Sequence, residues 1–263
     1  MSYEVHNNCA VIEDRYNKEE EIFTGSEGIY EKGFSVYVKN LSELKEAFKL
    51  QKKCVCCIDE GTSEGMHVAG SLILLNEEQL KKYLAEANPD ELTSHAGCGA
   101  AMLCAKKDSH NDFSQAEADE YAQKLINDIA NKYHLKYTHI PADKMNRPPE
   151  GHFARVCYYD FTGKFNYFGV TGMPAGFTIS RKFLELEYAL TEAGVALNIA
   201  FGDHGLGEGL LTEDKPFLLV AIVENEEQLK QAQQELNSLK SSHSKGAKIK
   251  VDFFMAPEIK QEN

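Results

Sequence analysis

An α/β fold, a mostly parallel central sheet with helices on both faces, is predicted from three observations on this sequence. Its first elements read strand, helix, Cys-rich strand, a βαβ order that favours a parallel sheet covered on both sides. Apolar β-favouring runs keep alternating with helical patterns towards the C-terminus. At 263 residues and 43% apolar content the chain has enough material for one large core or two modest ones.

The elements follow in order. Residues 1–33 are mixed and charged, with Glu19-Glu20-Glu21 in what reads as an N-terminal arm or short helix. Phe34–Val38 alternates as a strand, and Ser42–Lys53 has Leu44, Ala47, Phe48 and Leu50 at helical spacing. Cys54-Val55-Cys56-Cys57-Ile58-Asp59 reads as a buried strand closed by the turn residues Glu60-Gly61-Thr62, with Cys57 and Asp59 on one face. Ala69–Leu75 is apolar, and Asn76-Glu77-Glu78-Gln79 caps the following helix as a capping box. The hexapeptide Asn-Glu-Glu-Gln-Leu-Lys recurs at 225–230, a repeat better read as one local solution used twice than as an ancient duplication.

Leu92–Ser94 is a second strand, and Gly99–Ala105 a short helix. Ser114–Leu135 is the longest helical pattern, striped by Ala118, Tyr121, Leu125, Ile129 and Ala130. His139–Gly151 carries three prolines and reads as a loop, and Phe153–Tyr159 with Phe165–Phe168 reads as a hairpin turning at Thr162-Gly163. Beyond Gly169 come a helix around Arg181–Ala193, strands at Val195–Phe201, Phe217–Val223 and Ile249–Phe254, and a helix over Glu226–Leu239. Gly202-Asp203-His204-Gly205-Leu206-Gly207 reads as a flexible turn after a strand, with Asp203 and His204 as candidates to touch a substrate.

The net charge of −13 argues against nucleic-acid or anionic-membrane partners, which need basic patches. No apolar run approaches membrane-spanning length, and the N-terminus lacks the features of a secretory signal. Seven cysteines, an odd number that includes the adjacent Cys56-Cys57, fit a reducing compartment, so a cytoplasmic protein is expected.

Chemistry concentrates between Cys57 and Cys98. His95-Ala96-Gly97-Cys98 bends at a glycine and places Cys98 at a helix N-terminus, where N–H groups favour a thiolate. Two thiolates and one imidazole suit zinc, and three protein ligands leave a fourth position for water. Cys54, Cys56, Cys104 and Cys157 read as small core residues.

Cys57-x-Asp59 followed by His95-x-x-Cys98-Gly99 resembles the zinc signature of the β-class carbonic anhydrases. His67-Val68-Ala69-Gly70 stands where that family has Arg-Asn-Ala-Gly, and Tyr159-Asp160-Phe161-Thr162-Gly163 is similar to its late Tyr-Asp-x-x-Thr-Gly hairpin. The resemblance spans residues 34–168 and implies a zinc-binding core; the alternation that continues over 169–263 is expected to extend the same sheet or to form a small second α/β unit. The resemblance further implies hydration of carbon dioxide, or turnover of carbonyl sulfide or carbon disulfide, with zinc on Cys57, His95 and Cys98, and assembly as a homodimer.

The family's Cys-x-Asp continues to an Arg that pairs the Asp, and here Gly61 occupies that position. Arg15, Arg147, Arg155 and Arg181 are all remote in sequence, so Asp59 is expected either to ligate zinc or to be held by another donor such as His67. If Asp59 fills the fourth position, the site is a closed one in a binding or regulatory protein. A third reading, a cysteine nucleophile with His95 as base, leaves the paired motifs without a role.

Overall fold

The computed structural model describes residues 28–49, 52–62, 64–109, 113–148, 151–168 and 170–257. Most of the predicted arm, including the Glu19–Glu21 run, lies outside them. The α/β class holds, but the described residues form eight strands in two all-parallel sheets where one central sheet was expected. The first contains β1 (Cys54–Cys56), β2 (Met66–His67), β3 (Glu91–His95) and β4 (Lys136–Ile140) in the order β2-β1-β3-β4. The second contains β5 (Val156–Asp160), β6 (Gly176–Ile179), β7 (Phe217–Val223) and β8 (Ile249–Met255) in the order β6-β5-β7-β8. Each sheet thus follows one winding scheme. Their inner edges touch where Ser180 N–H donates to the His67 carbonyl at 2.9 Å and His67 N–H to the Ser180 hydroxyl at 2.8 Å.

Helix α1 (Gly28–Lys32) lies in the N-terminal segment, and α2 (Phe34–Val38) replaces the first predicted strand. Five apolar-rich residues satisfy either period, and tertiary packing decides: Phe34 and Val38 seat on the second sheet beside Val156, Tyr158 and Phe254, and Phe34 N–H donates to Asp252 at 2.8 Å. The predicted helix over 42–53 shrinks to a 3-10 turn at Leu44–Phe48. The predicted strand at Val195–Phe201 is the end of a helix, and three strands, β2, β4 and β6, arise where none was predicted.

Helix α3 (Glu77–Ala87) starts on the predicted capping box: the Asn76 side chain accepts from the Glu78 and Gln79 N–H groups at 3.0 Å, and Gln79 answers at 3.1 Å. Helix α4 (Gly99–Ser109) follows β3, and α5 (Gln115–Tyr133) begins on a second capping box at Ser114. On α5 the fully buried line is Ala118, Ala122, Ile126 and Ala130, with Tyr121, Leu125 and Ile129 on its flank. Helix α6 (Leu186–Phe201), the short α7 (Gly207–Leu210) and α8 (Glu226–Ser242) complete the second half. The hexapeptide at 76 caps α3, between β2 and β3, whereas that at 225 caps α8, between β7 and β8. The two copies therefore occupy different places in the winding scheme, as expected of a reused local solution.

The late hairpin does not form. β5 pairs only with β6 and β7, both in parallel, and Phe165–Phe168 is irregular. Asp160 instead ends β5 in a tight turn, accepting from Thr162 N–H at 2.8 Å, the Thr162 hydroxyl at 2.7 Å and Phe165 N–H at 3.2 Å. Burial outweighs these donors and lifts its carboxyl from 3.8 to about 6. The folded state then holds a proton that the unfolded chain has lost, so this contribution to stability is complete below pH 3.8 and vanishes as pH rises through 6. Denaturant titrations should show wild type losing up to about 3 kcal/mol relative to Asp160→Asn across that window. A constant difference between the two proteins would contradict it.

Among the described residues, no helix is long and apolar enough to cross a membrane.

Candidate metal centre

The strand ends bring the sequence motifs together. Cys57 leaves β1 at its C-terminal end, His95 closes β3, and the next turn brings back Cys98. The two sulfurs and an imidazole nitrogen lie within 4.8 Å of one another, and all three residues are buried. The turn requires Gly97, whose φ is +73°, a conformation that side-chain-bearing residues rarely adopt. Asp119 on α5 grips it from outside, accepting Gly97 N–H at 2.7 Å and Cys98 N–H at 3.3 Å, while Gln115 braces Asp119 at 2.8 Å. Cys98 then caps α4, its carbonyl accepting from Ala101 and Met102 N–H.

Two features fit this donor set to a cation. His95 Nε2 is buried without a hydrogen-bond partner, and Nδ1 lies 3.0 Å from the Ala96 carbonyl, an outer contact that sets the tautomer and frees Nε2 to ligate. Gly70 N–H points at the Cys57 sulfur at 3.3 Å, as it would at a thiolate. Protonation works against them. The hydrogen bond with Cys98, burial and the Cys98 charge together push the Cys57 thiol well above its usual value. Burial alone would depress His95, but the charge of Cys57, helped by Asp59 and the Ala96 carbonyl, lifts it to about 9. Without a cation the cluster retains protons that a bound metal would displace.

Asp59 corrects the expectation placed on it. Arg147 Nε donates to both of its oxygens, at 2.9 and 3.2 Å, and Gly61 N–H adds a bond at 2.7 Å. The partner that is missing two residues on thus arrives from the proline-rich loop after β4. Gly61 makes room for it: a Cβ there would lie 2.6 Å from Arg147 Cγ and 2.8 Å from Met145 Cε. The loop is pinned to the Asp59 turn by Asn146, through its N–H to the Gly61 carbonyl at 2.8 Å and its side chain to the Thr62 carbonyl at 3.2 Å. Burial would raise the Asp59 carboxyl, but His95, His152 and Arg147 outweigh it and hold the group below its ordinary value. His67 is not the donor to Asp59. Its Nδ1 faces the Cys57 carbonyl at 2.8 Å, and burial drives its pKa down to about 4, leaving it neutral.

The centre opens into a pocket of about 430 Å³. Ile58, Leu74, Phe177, Val195 and Ile199 give it apolar walls, and Asp59, His95, Arg147, His152 and His204 contribute polar groups. His204 therefore reaches the site from a turn after α6, while Asp203 lines a separate shallow hollow. His152 faces Glu60 at 2.7 Å and lies 3.9 Å from Asp59. Asp59, Glu60 and His152 form a second convergent group, but Arg147 and His152 already balance its carboxylates. Glu192 on α6 accepts Ala69 N–H at 2.8 Å, holding the segment that contacts Cys57, and burial keeps its carboxyl well above the usual range. Cys54, Cys56, Cys104 and Cys157 are buried thiols that lie outside the cluster.

Arg147, Asp119, His152, Glu60 and Glu192 were not legible as site residues. Arg147 alone left a signal, being one of four arginines in the chain beside a small residue where a partner was due. Asp119 should act through the turn it holds. Asp119→Ala is expected to weaken metal binding about 10- to 100-fold in a chelator competition, the range of outer-sphere partners. Unchanged affinity would show that the turn holds itself.

No family model, curated protein or solved structure matches the chain.

Proposed function

We propose that this protein is a zinc-dependent hydrase acting on carbon dioxide, or on a close relative such as carbonyl sulfide or carbon disulfide. The observation that carries this reading is an Asp–Arg pair beside a two-Cys, one-His donor set at the mouth of an apolar pocket. Cys57, His95 and Cys98 would hold the metal. Zinc so bound supplies Lewis acidity that brings the pKa of water to about 7.

The chain's own residues do the rest. Arg147 and Gly61 hold the Asp59 carboxylate ionised and oriented, so that it accepts a hydrogen bond from a hydroxyl entering the site and fixes its direction. Ile58, Leu74, Val195 and Ile199 offer an apolar surface to a small substrate without hydrogen-bond donors. His152 and His204 stand on the pocket wall, where a departing proton can be collected. Because Asp59 already has an arginine, the observation that favoured a closed, non-catalytic zinc site is gone.

Rapid-mixing assays of zinc-loaded protein on carbon dioxide, carbonyl sulfide and carbon disulfide test the proposal. Turnover of at least one is expected. Stoichiometric zinc with no turnover of any would reject it in favour of a zinc-stabilised binding protein.

A further inference from the structure

The repeated winding scheme generates a second pocket, related to the first and chemically different. Counted along the sheets from the Val55–Leu92 and Val156–Leu218 pairs, Cys57 corresponds to Tyr158, His95 to Ala221 and Cys98 to Glu224, so the metal set is absent from the second half. Asp59 corresponds to Asp160, and the two turns match: Gly61 N–H donates to Asp59 at 2.7 Å and Thr162 N–H to Asp160 at 2.8 Å.

The pockets match as well. The metal pocket joins the strand ends of the first sheet to residues just before β5, on β6 and at the end of α6. The other, about 570 Å³, joins residues after all four strands of the second sheet to residues before β1, on β2 and at the end of α3. In parallel sheets this carboxyl-end position is where ligands bind.

Its lining is basic in an acidic protein: Lys53, Lys164 and Lys182 stand against Glu86 and Glu224, with Lys49 paired to Glu46 at 2.7 Å, in a chain of net charge −13. Lys182 is seated, its stem packed where a Cβ on Gly163 would lie 2.8 Å from it and its ammonium 3.0 Å from the Thr162 carbonyl. Phe48 and Phe183 add apolar surface.

We propose that this second pocket binds a small molecule carrying a multiply charged oxyanion, phosphate or carboxylate, on an apolar body. The lysines supply point charges that neutralise the oxyanion, and the phenylalanines take the body. The site needs no metal and stands independently of the function proposed above.

Calorimetric titration of the full chain with phenyl phosphate, phthalate and phenol, in about 0.15 M NaCl to screen diffuse attraction, tests it. Saturable binding of phenyl phosphate or phthalate, but not of phenol, is expected, and whichever binds identifies the oxyanion. Lys164→Gln/Lys182→Gln should weaken it at least about tenfold, Lys53→Gln should weaken it to a smaller extent, and Cys57→Ser should leave it unchanged. Matched melting curves without ligand establish that the variants fold. Absence of saturable binding, equal binding by the lysine variants, or loss of binding in Cys57→Ser would overturn the proposal.

Discussion

Cys57→Ser and Cys98→Ser should each release a metal bound at the proposed centre, with affinity falling by more than the roughly 100-fold that outer-sphere partners control. A hydroxyl at neutral pH offers neither the charge nor the polarisable electrons of a thiolate, and the two remaining donors do not make up the loss. The matched controls are Cys54→Ser and Cys56→Ser. Cys54 donates to the Glu64 carbonyl at 2.7 Å, and its sulfur lies 3.5 Å from that of Cys56, so both are engaged away from the site. Chelator competition reads all four variants. Metal loss in Cys54→Ser with Cys57→Ser tolerated would mean that a different thiolate holds the ion.

Arg147→Gln should cost about 100- to 1000-fold in kcat/KM with the metal still bound, the size of effect produced by removing one preorganised electrostatic partner. The Asp59 and Arg147 side chains are only 6% and 10% exposed, so the lost cation also leaves a buried carboxylate, at a cost of about 3 to 5 kcal/mol. That penalty separates structure from chemistry. Asp59→Asn/Arg147→Gln removes the stranded charge and should recover stability without recovering turnover. Arg147→Lys should restore little, because an ammonium cannot reproduce a guanidinium contact to both oxygens. Activity that tracked melting temperature across this series would make the pair a structural strut only.

Legibility from sequence followed the range of the forces involved. β7 was read to the residue because Phe217–Val223 is buried on both faces and bounded by turn residues. The cap at Asn76 was legible because a side chain bonding to backbone three residues away is a local event. Val195–Phe201 failed for the opposite reason: a short apolar run fits either period, and continuity with Leu186 settled it as helix. β4 escaped notice because Lys136–Ile140 is an edge strand with alternating exposure and no apolar run. At the site, Cys57, His95 and Cys98 were legible through their spacing. The arginine for Asp59 was not, since it lies 88 residues away and only the fold brings it in.

X-ray absorption at the zinc edge, on stoichiometrically loaded protein near neutral pH, tests the central claim most directly. One zinc per chain is expected, with two sulfur ligands near 2.3 Å and two light-atom ligands near 2.0 Å, a spectrum left unchanged by Asp59→Asn. A shell that changes in Asp59→Asn would place the carboxylate on the metal and close the site, and zinc without sulfur ligands would contradict the centre altogether.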